Sequence, residues 1–224
     1  MEKTRKLVIL GDSAFAEIAY EYFTHDSEYE VVAFAVEQAF LKRDQLFGLP
    51  VVPFESLEAH FAPAEHHFFA AITYVQLNRL RTRLVRSAKE RGYRPASYVS
   101  SNAFVWRNVE LGEHCFIFEN NVVQPFVKIG ENVVLWSGNH IGHHSTIGAN
   151  CFIASHAVVS GFVNMGENCF VGVNTTFSNN ITIGRDCLFG AGAVVARDVP
   201  EDKVVKAEAG EPTGSARRLN RVKE

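Results

Sequence analysis

Ile147-Gly148-Ala149-Asn150-Cys151-Phe152-Ile153-Ala154-Ser155-His156-Ala157-Val158-Val159-Ser160-Gly161-Phe162-Val163-Asn164-Met165 places a bulky apolar residue on every sixth position. The rule extends in both directions without a slip: Val99, Val105, Leu111, Ile117, Val123, Ile129, Leu135 and Ile141 before it, Val171, Phe177, Ile183, Phe189 and Val195 after it. An α-helix repeats near 3.6 residues, and a hairpin sheet alternates in twos with irregular turns. A period of six held over so long a stretch therefore predicts a solenoid of short strands, a β-helix.

Every third hexapeptide is also alike: Leu111-Gly112-Glu113-His114-Cys115, Ile129-Gly130-Glu131-Asn132-Val133, Ile147-Gly148-Ala149-Asn150-Cys151, Met165-Gly166-Glu167-Asn168-Cys169 and Ile183-Gly184-Arg185-Asp186-Cys187. This sets a coil of eighteen residues with three flat faces. Four positions beyond each apolar residue stand small or β-branched side chains, among them Val109, Cys115, Val127, Ser145, Cys151, Ala157, Cys169, Thr175, Cys187 and Ala193, which suit a second inward position in a narrow prism. Asn121 and Asn139 break the apolar rule and are expected to stack inside as a hydrogen-bonded ladder. Coils stacked at about 4.8 Å make a rod roughly 27 Å long. The period leaves the hand of the coil open.

Composition fits one or two globular domains: 47% of residues are hydrophobic and 21% charged. No apolar run approaches the ~20 residues of a membrane span, and Met1-Glu2-Lys3-Thr4-Arg5-Lys6 leads into a strand too short for a signal peptide, so a cytoplasmic location is expected. A formal net charge of −3 argues against nucleic acid as a partner, although Lys203 to Lys223 mixes both signs in a solvated tail. Cys115, Cys151, Cys169 and Cys187 share one position of one face. They read as an inward column of small apolar groups, since zinc spacing such as CxxC is absent.

Before the solenoid the grammar is βαβ. Lys6–Leu10 reads as a buried strand, Gly11-Asp12-Ser13 as a turn, Ala14–Phe23 as a helix and Glu30–Val36 as a second strand. Leu49–Val52, a short helix near Ser56–His60, a strand at His67–Ile72 and a basic helix from Val75 to Arg91 complete a small Rossmann-like parallel sheet. The expected division is residues 1–98, 99–200 and a tail over 201–224. Gly11-Asp12-Ser13-Ala14-Phe15-Ala16 lacks the glycines of GxGxxG, which argues against a nicotinamide cofactor. Ligands of open parallel sheets lie beyond the carboxyl ends of the strands, which nominates Ser13, Phe15, Glu37 and Thr73 as substrate-binding. Arg79, Arg81, Arg83, Arg86, Lys89 and Arg91 read as a solvated helix face.

Four of the nine histidines fall in one stretch of solenoid: His140, His143, His144 and His156. His143 follows the inward Ile141 by two residues, on the outer edge of a coil, where a neutral imidazole can accept a proton near neutral pH. A zinc site built from the four is a competing reading, weakened by the absence of a carboxylate among them. A non-catalytic scaffold is the other.

The unbroken hexapeptides, the short αβ region before them and the string from Ile141 to Gly166 resemble the left-handed β-helix acyltransferases, in particular the bacterial sugar acetyltransferases of the bacillosamine and perosamine type and the sialic acid O-acetyltransferases. That resemblance implies a left-handed coil and a homotrimer with clefts between neighbouring rods, where acetyl-CoA lies along the solenoid and a nucleotide sugar reaches across from the αβ region. It implies acetyl transfer to a sugar amine, or alternatively to a hydroxyl, with no metal. The family's base falls on His143 and its carbonyl-holding amide on Gly161, one coil later; the period stacks these two residues. Coenzyme A contacts fall on Gly161, Val173, Gly190 and Ala191. Relatives often follow the base with an acidic residue. Here His144 stands in its place, and His156 is a candidate wall of the same cleft.

Overall fold

The computed structural model describes residues 2–208. The charged tail from residue 209 onward, most of the expected 201–224 segment, lies outside the described residues.

The first part of the chain runs β1 (Arg5–Leu10), α1 (Ala14–His25), β2 (Tyr29–Val36), β3 (Gln45–Leu46), β4 (Leu49–Pro53), β5 (His66–Ala70), α2 (Arg79–Glu90) and β6 (Arg94–Pro95). The sheet order is β3-β4-β2-β1-β5-β6, parallel except for the short β3–β4 pair. Leu7, Val8, Ile9 and Leu10 are all buried because β1 is central and covered on both sides, which is why it reads as an unbroken apolar run. Helix α2 begins four residues later than the pattern suggests. Gln76, Leu77 and Asn78 all have left-handed backbone, with φ of 54°, 48° and 65°, which no right-handed helix can include.

From Tyr98–Val99 onward the chain winds as a three-sided parallel β-helix of two-residue strands, its faces holding seven, six and five strands. Neighbouring strands pair eighteen residues apart up to Val195, as in Phe116↔Val134, His140↔Val158 and Lys128↔Thr146, and the closing strand Val204–Val205 pairs at sixteen, Leu188↔Val204. The apolar sixth residues from Ile117 to Val195 form one continuous core. Val99, the first of the series, is 38% exposed because it closes the open end of the prism. The inner second column is as expected, with Cys115, Cys151, Cys169 and Cys187 buried and unpaired. Each thiol donates to a carbonyl of the next coil, for instance Cys151 Sγ to Gly166 O at 3.2 Å. Burial pushes the Cys115 thiol up to about 12, so it stays protonated.

Asn121 and Asn139 are buried, but they do not bond to one another. Asn121 Nδ2 donates to the carbonyls of Phe118 and Trp136, and Asn139 Oδ1 accepts the Ala157 N–H at 2.7 Å. The main chain at a tight corner has orphan groups within reach, and these engage the amides before a stacked neighbour can, leaving Asn121 Oδ1 buried without a partner. The corners have left-handed residues at fixed spacing: His114, Asn132, Asn150, Asn168 and Asp186 on the first edge, Phe126, His144, Phe162 and Asn180 on the third. Glycine precedes each first-edge corner because coils approach closely there. A Cβ on Gly148 would stand 2.5 Å from the carbonyl carbon of Gly166.

The three faces differ in their outward residues. On the first, Phe116, Val134 and Phe152 are buried under α1 and the sheet, packed with Phe15, Phe23 and Phe69. The second turns out Phe104, Val122, His140, Val158, Thr176 and Val194, with Phe104 51% and Val194 72% exposed. The third turns out Glu110, Lys128, Thr146, Asn164 and Thr182.

Candidate active site

His143 stands on the edge between the second and third faces, after the strand His140–Ile141. Its main-chain N–H donates to Gln124 Oε1 at 2.9 Å, and its carbonyl accepts the Phe162 N–H at 3.0 Å. The imidazole lies against the Cα of Gly161. A Cβ built there would come within 2.8 Å of Cε1 and 3.0 Å of Nε2, so only glycine lets the ring sit this close to the main chain of the next coil. The Gly161 carbonyl accepts from Asn180, whereas its N–H has no backbone acceptor among the described residues. The edge thus joins a ring nitrogen able to take a proton to an amide able to hold developing negative charge.

His144 is beside it. The two Nδ1 atoms are 3.1 Å apart, and the His144 ring is stacked between Phe126 and Phe162 at centroid distances of 4.6 and 4.8 Å. His156 is elsewhere. It stands at the edge between the first and second faces, its ring against Gly138, one face away from His143 in the same chain. The histidines are therefore divided between two edges and the face between them. Among the described residues no three His, Cys, Asp or Glu side chains converge to hold a metal.

Val173 and Ala191 share the edge of His156 and line an apolar cavity of about 390 Å³ with Tyr74, Trp136, Phe152 and Phe170. Thr73 and Ser155 add hydroxyls to that of Tyr74. Gly190 is just outside, its N–H donating to Val205 O at 2.8 Å. The cavity and His143 are separated within one chain by the width of the second face, roughly 15 Å at about 3.3 Å per strand residue. One chain thus brings Thr73, Val173 and Ala191 together, and it brings His143 and Gly161 together, but it keeps the two groups apart.

A second cavity, of about 450 Å³, opens at the carboxyl ends of β1 and β2 and is lined by Ser13, Glu37, Phe40, Lys42, Arg43 and Leu84, among others. Glu37 is held by both guanidinium nitrogens of Arg83 at 2.8 Å, and this bidentate pair keeps its carboxyl below the usual range. Phe15 is a correction to the sequence reading. It is 2% exposed and packs against Phe69, Phe116, Phe118 and Trp136, because α1 turns this side toward the solenoid and not toward the strand ends.

On the basic helix Arg79, Arg83, Arg86 and Lys89 are exposed as expected, and Arg81 is the correction. Arg81 is fully buried and donates to Asn132 Oδ1 and O at 3.0 Å, and more weakly to Ile72 O, Asn150 O and Cys151 O. Burial pushes its pKa down to about 10, which leaves it charged near neutral pH. Arg79 reaches Asp186 at 2.6 Å, and Lys89 reaches Glu113 at 2.9 Å. The signal was in the pattern: Arg81, Leu84, Val85 and Ala88 form one helical stripe, and a cation on such a stripe demands buried partners. His114 was missed as well. It occupies the first corner of the Asn132–Asn168 column, where Nε2 accepts the Ala70 N–H at 2.8 Å and Nδ1 meets Asn132 Oδ1 at 2.9 Å. Burial first, then the Arg81 charge, drives its pKa down to about 3. Together Arg81 and His114 clamp the end of β5 and the loop bearing Thr73 and Tyr74 onto the prism.

Residues 108–143, 126–161 and 162–197 match the family model described as bacterial transferase hexapeptide (six repeats). No curated protein sequence matches the chain. Among solved structures, the acetyltransferase domain of PglB from Neisseria gonorrhoeae FA1090 is similar over 94% of this chain and 100% of that one, with a TM-score of 0.82 and 23% identity. PerB from Caulobacter crescentus, solved in complex with CoA and GDP-perosamine, is similar over 90% of this chain and 94% of its own, with a TM-score of 0.80 and 26% identity. WeeI from Acinetobacter baumannii AYE gives a TM-score of 0.63 at 20% identity, over 91% and 97% of the two chains. Among the described residues no helix is long and apolar enough to cross a membrane. The chain thus carries bacterial transferase hexapeptide repeats over residues 108–197 and shares the fold of these solved acetyltransferases, an αβ sheet region followed by a left-handed β-helix.

Proposed function

We propose that this protein transfers an acetyl group from acetyl-CoA to the amino group of a sugar carried on a nucleotide. The observation that carries this reading is the His143 imidazole lying against Gly161, whose N–H is free of backbone acceptors. The likeness to PerB, solved with CoA and GDP-perosamine, supports the choice of donor and acceptor class.

His143 Nε2 withdraws a proton from the acceptor amine as its nitrogen attacks, and returns it to the departing sulfur. The Gly161 N–H donates to the carbonyl oxygen as charge gathers there. Acetyl-CoA supplies the activated carbonyl. The residues present suit it: glycine at 161 removes the Cβ that would fill the space beside His143, and Val173 and Ala191 offer slim apolar walls to a pantetheine arm, with Gly190 behind them. Ser13 and Glu37 at the mouth of the β1–β2 cavity, with Thr73 over the aromatic one, are the substrate contacts of this reading, and residues 1–98 are its nucleotide-binding part.

The separation of the two edges favours a site shared between chains. The second face exposes Phe104, Val158 and Val194 and is left uncovered by the described residues, and it lies between the His143 edge and the Val173 edge. Burying that face against another copy brings His143 of one chain to the aromatic cavity of the next, and repeating the operation closes a homotrimer. His156, on the cavity's edge, becomes a wall of that composite cleft.

The test is acetyl transfer to uridine-, thymidine- and guanosine-linked amino sugars, followed by mass spectrometry. At least one should gain an acetyl group with release of free CoA, and His143→Ala should lower that turnover by about 10² to 10⁴ while leaving the assembly intact. An inert panel would refute the acceptor class, and a fully active His143→Ala variant would refute the base.

A further inference from the structure

We infer that His144 is the positioning residue of this site, a neutral hydrogen-bond acceptor that fixes which nitrogen of His143 is free to take a proton. The inference rests on the proposed role of His143 and deepens it.

Two ring nitrogens 3.1 Å apart form a hydrogen bond only if one carries a proton and the other is bare. Two arrangements meet that condition. If His144 donates, His143 carries its own proton on Nε2 and cannot act as a base there. If His143 donates from Nδ1, its Nε2 is bare beside Gly161, and His144 carries its proton on Nε2. Only the second arrangement performs the chemistry.

The surroundings explain how a neutral imidazole can do this reliably. His144 is held in one plane by Phe126 and Phe162, which lie one coil before and one coil after it, with interplanar angles of 28° and 16°. All three residues have left-handed backbone at the same edge, with φ of 66°, 58° and 59°, so the stack follows from the coil itself. Phe162 also meets the His143 ring edge-on at 5.1 Å, and the two imidazoles are nearly perpendicular at 86°. The His144 ring therefore has little freedom to swing its Nδ1 away. No salt bridge reaches either ring among the described residues, so the pair orders itself without a carboxylate.

Three substitutions separate this role from simple packing. His144→Phe keeps an aromatic ring between Phe126 and Phe162 but has no nitrogen. His144→Asn keeps an acceptor at similar reach and tolerates the left-handed backbone. His143→Ala tests the base itself. Long-range proton–nitrogen NMR of histidine-labelled protein should find His143 as the Nδ1–H tautomer in wild type and in His144→Asn, and no longer so in His144→Phe. Turnover should fall about tenfold to a hundredfold in His144→Phe with KM for acetyl-CoA unchanged, and most of it should return in His144→Asn. An Nε2–H tautomer in the wild-type protein, which needs no variant to fold, overturns the inference, as does wild-type turnover in His144→Phe. Full turnover in His143→Ala would refute the base reading instead, whatever the tautomer proves to be.

Discussion

The first and second faces of the prism both turn apolar side chains outward, yet the described residues cover only one of them. On the first face Phe116 is fully buried beneath α1 and β5, and the αβ region is fastened there by polar groups as well as by packing. On the second, Phe104, Val158 and Val194 are open, with no element of the described residues laid over them. Both faces have the same strand geometry and the same register. The difference lies in the edges: the first edge presents His114 and the Asn132 and Asn150 corners to Arg81 and Thr82, whereas the edge of the second face presents the Phe126–His144–Phe162 stack. A face whose edge offers hydrogen-bond partners recruits the chain's own helix, and the proposed assembly places another copy on the other face.

Breaking the clamp on the covered face gives the largest expected effect. Arg81→Ala leaves the Asn132 and Asn150 carbonyl oxygens without the Arg81 donor in a buried site, and should destabilise the protein by about 3–5 kcal/mol in chemical denaturation. Phe116→Ala opens a cavity under α1 and should cost about 3–5 kcal/mol as well, through lost packing and not lost charge. Val158→Glu sharpens the comparison from the other side. It should change the stability of the isolated chain by less than about 1 kcal/mol, but it should shift the assembly to monomer in analytical ultracentrifugation and abolish acetyl transfer. A monomeric variant that kept full turnover would show that the site is complete within one chain.

A pH effect belongs to the covered face alone. The folded pKa of His114 is lowered to about 3 against an ordinary value of 6.5, so the unfolded chain binds the extra proton first as pH falls. The stability contributed by its neutral ring is complete above about 6.5 and is lost progressively between about 6.5 and 3. His114→Asn, which places there the residue found at the next corner, should flatten that part of the stability curve. Thr146→Lys on the polar third face should do least, within about 0.5 kcal/mol and with no change of assembly.

The sequence carried much of this. Seventeen apolar residues six apart gave the prism, its core and the stacking of residue 143 on 161. The sequence misplaces Phe15 and Arg81 for a shared reason: each sits on a helix whose covered side depends on a partner far along the chain. Phe15 looked like a turn residue at the end of β1, and only the contact with Phe116 and Trp136 shows it to be core. Arg81 looked like one more cation in a basic helix until Asn132 was found to meet it. The expected asparagine ladder failed differently, because side-chain amides at a tight corner have main-chain groups closer than they have each other.

A strict repeat is local information copied many times, so the sequence by itself determined the coil, its register and which side chains point inward. Which face the αβ region covers, how α2 locks onto the first edge, and the separation of the His143 edge from the aromatic cavity were decided only by tertiary structure. These depend on contacts between segments fifty or more residues apart, as Arg81 and Asn132 are, and no local period encodes such contacts.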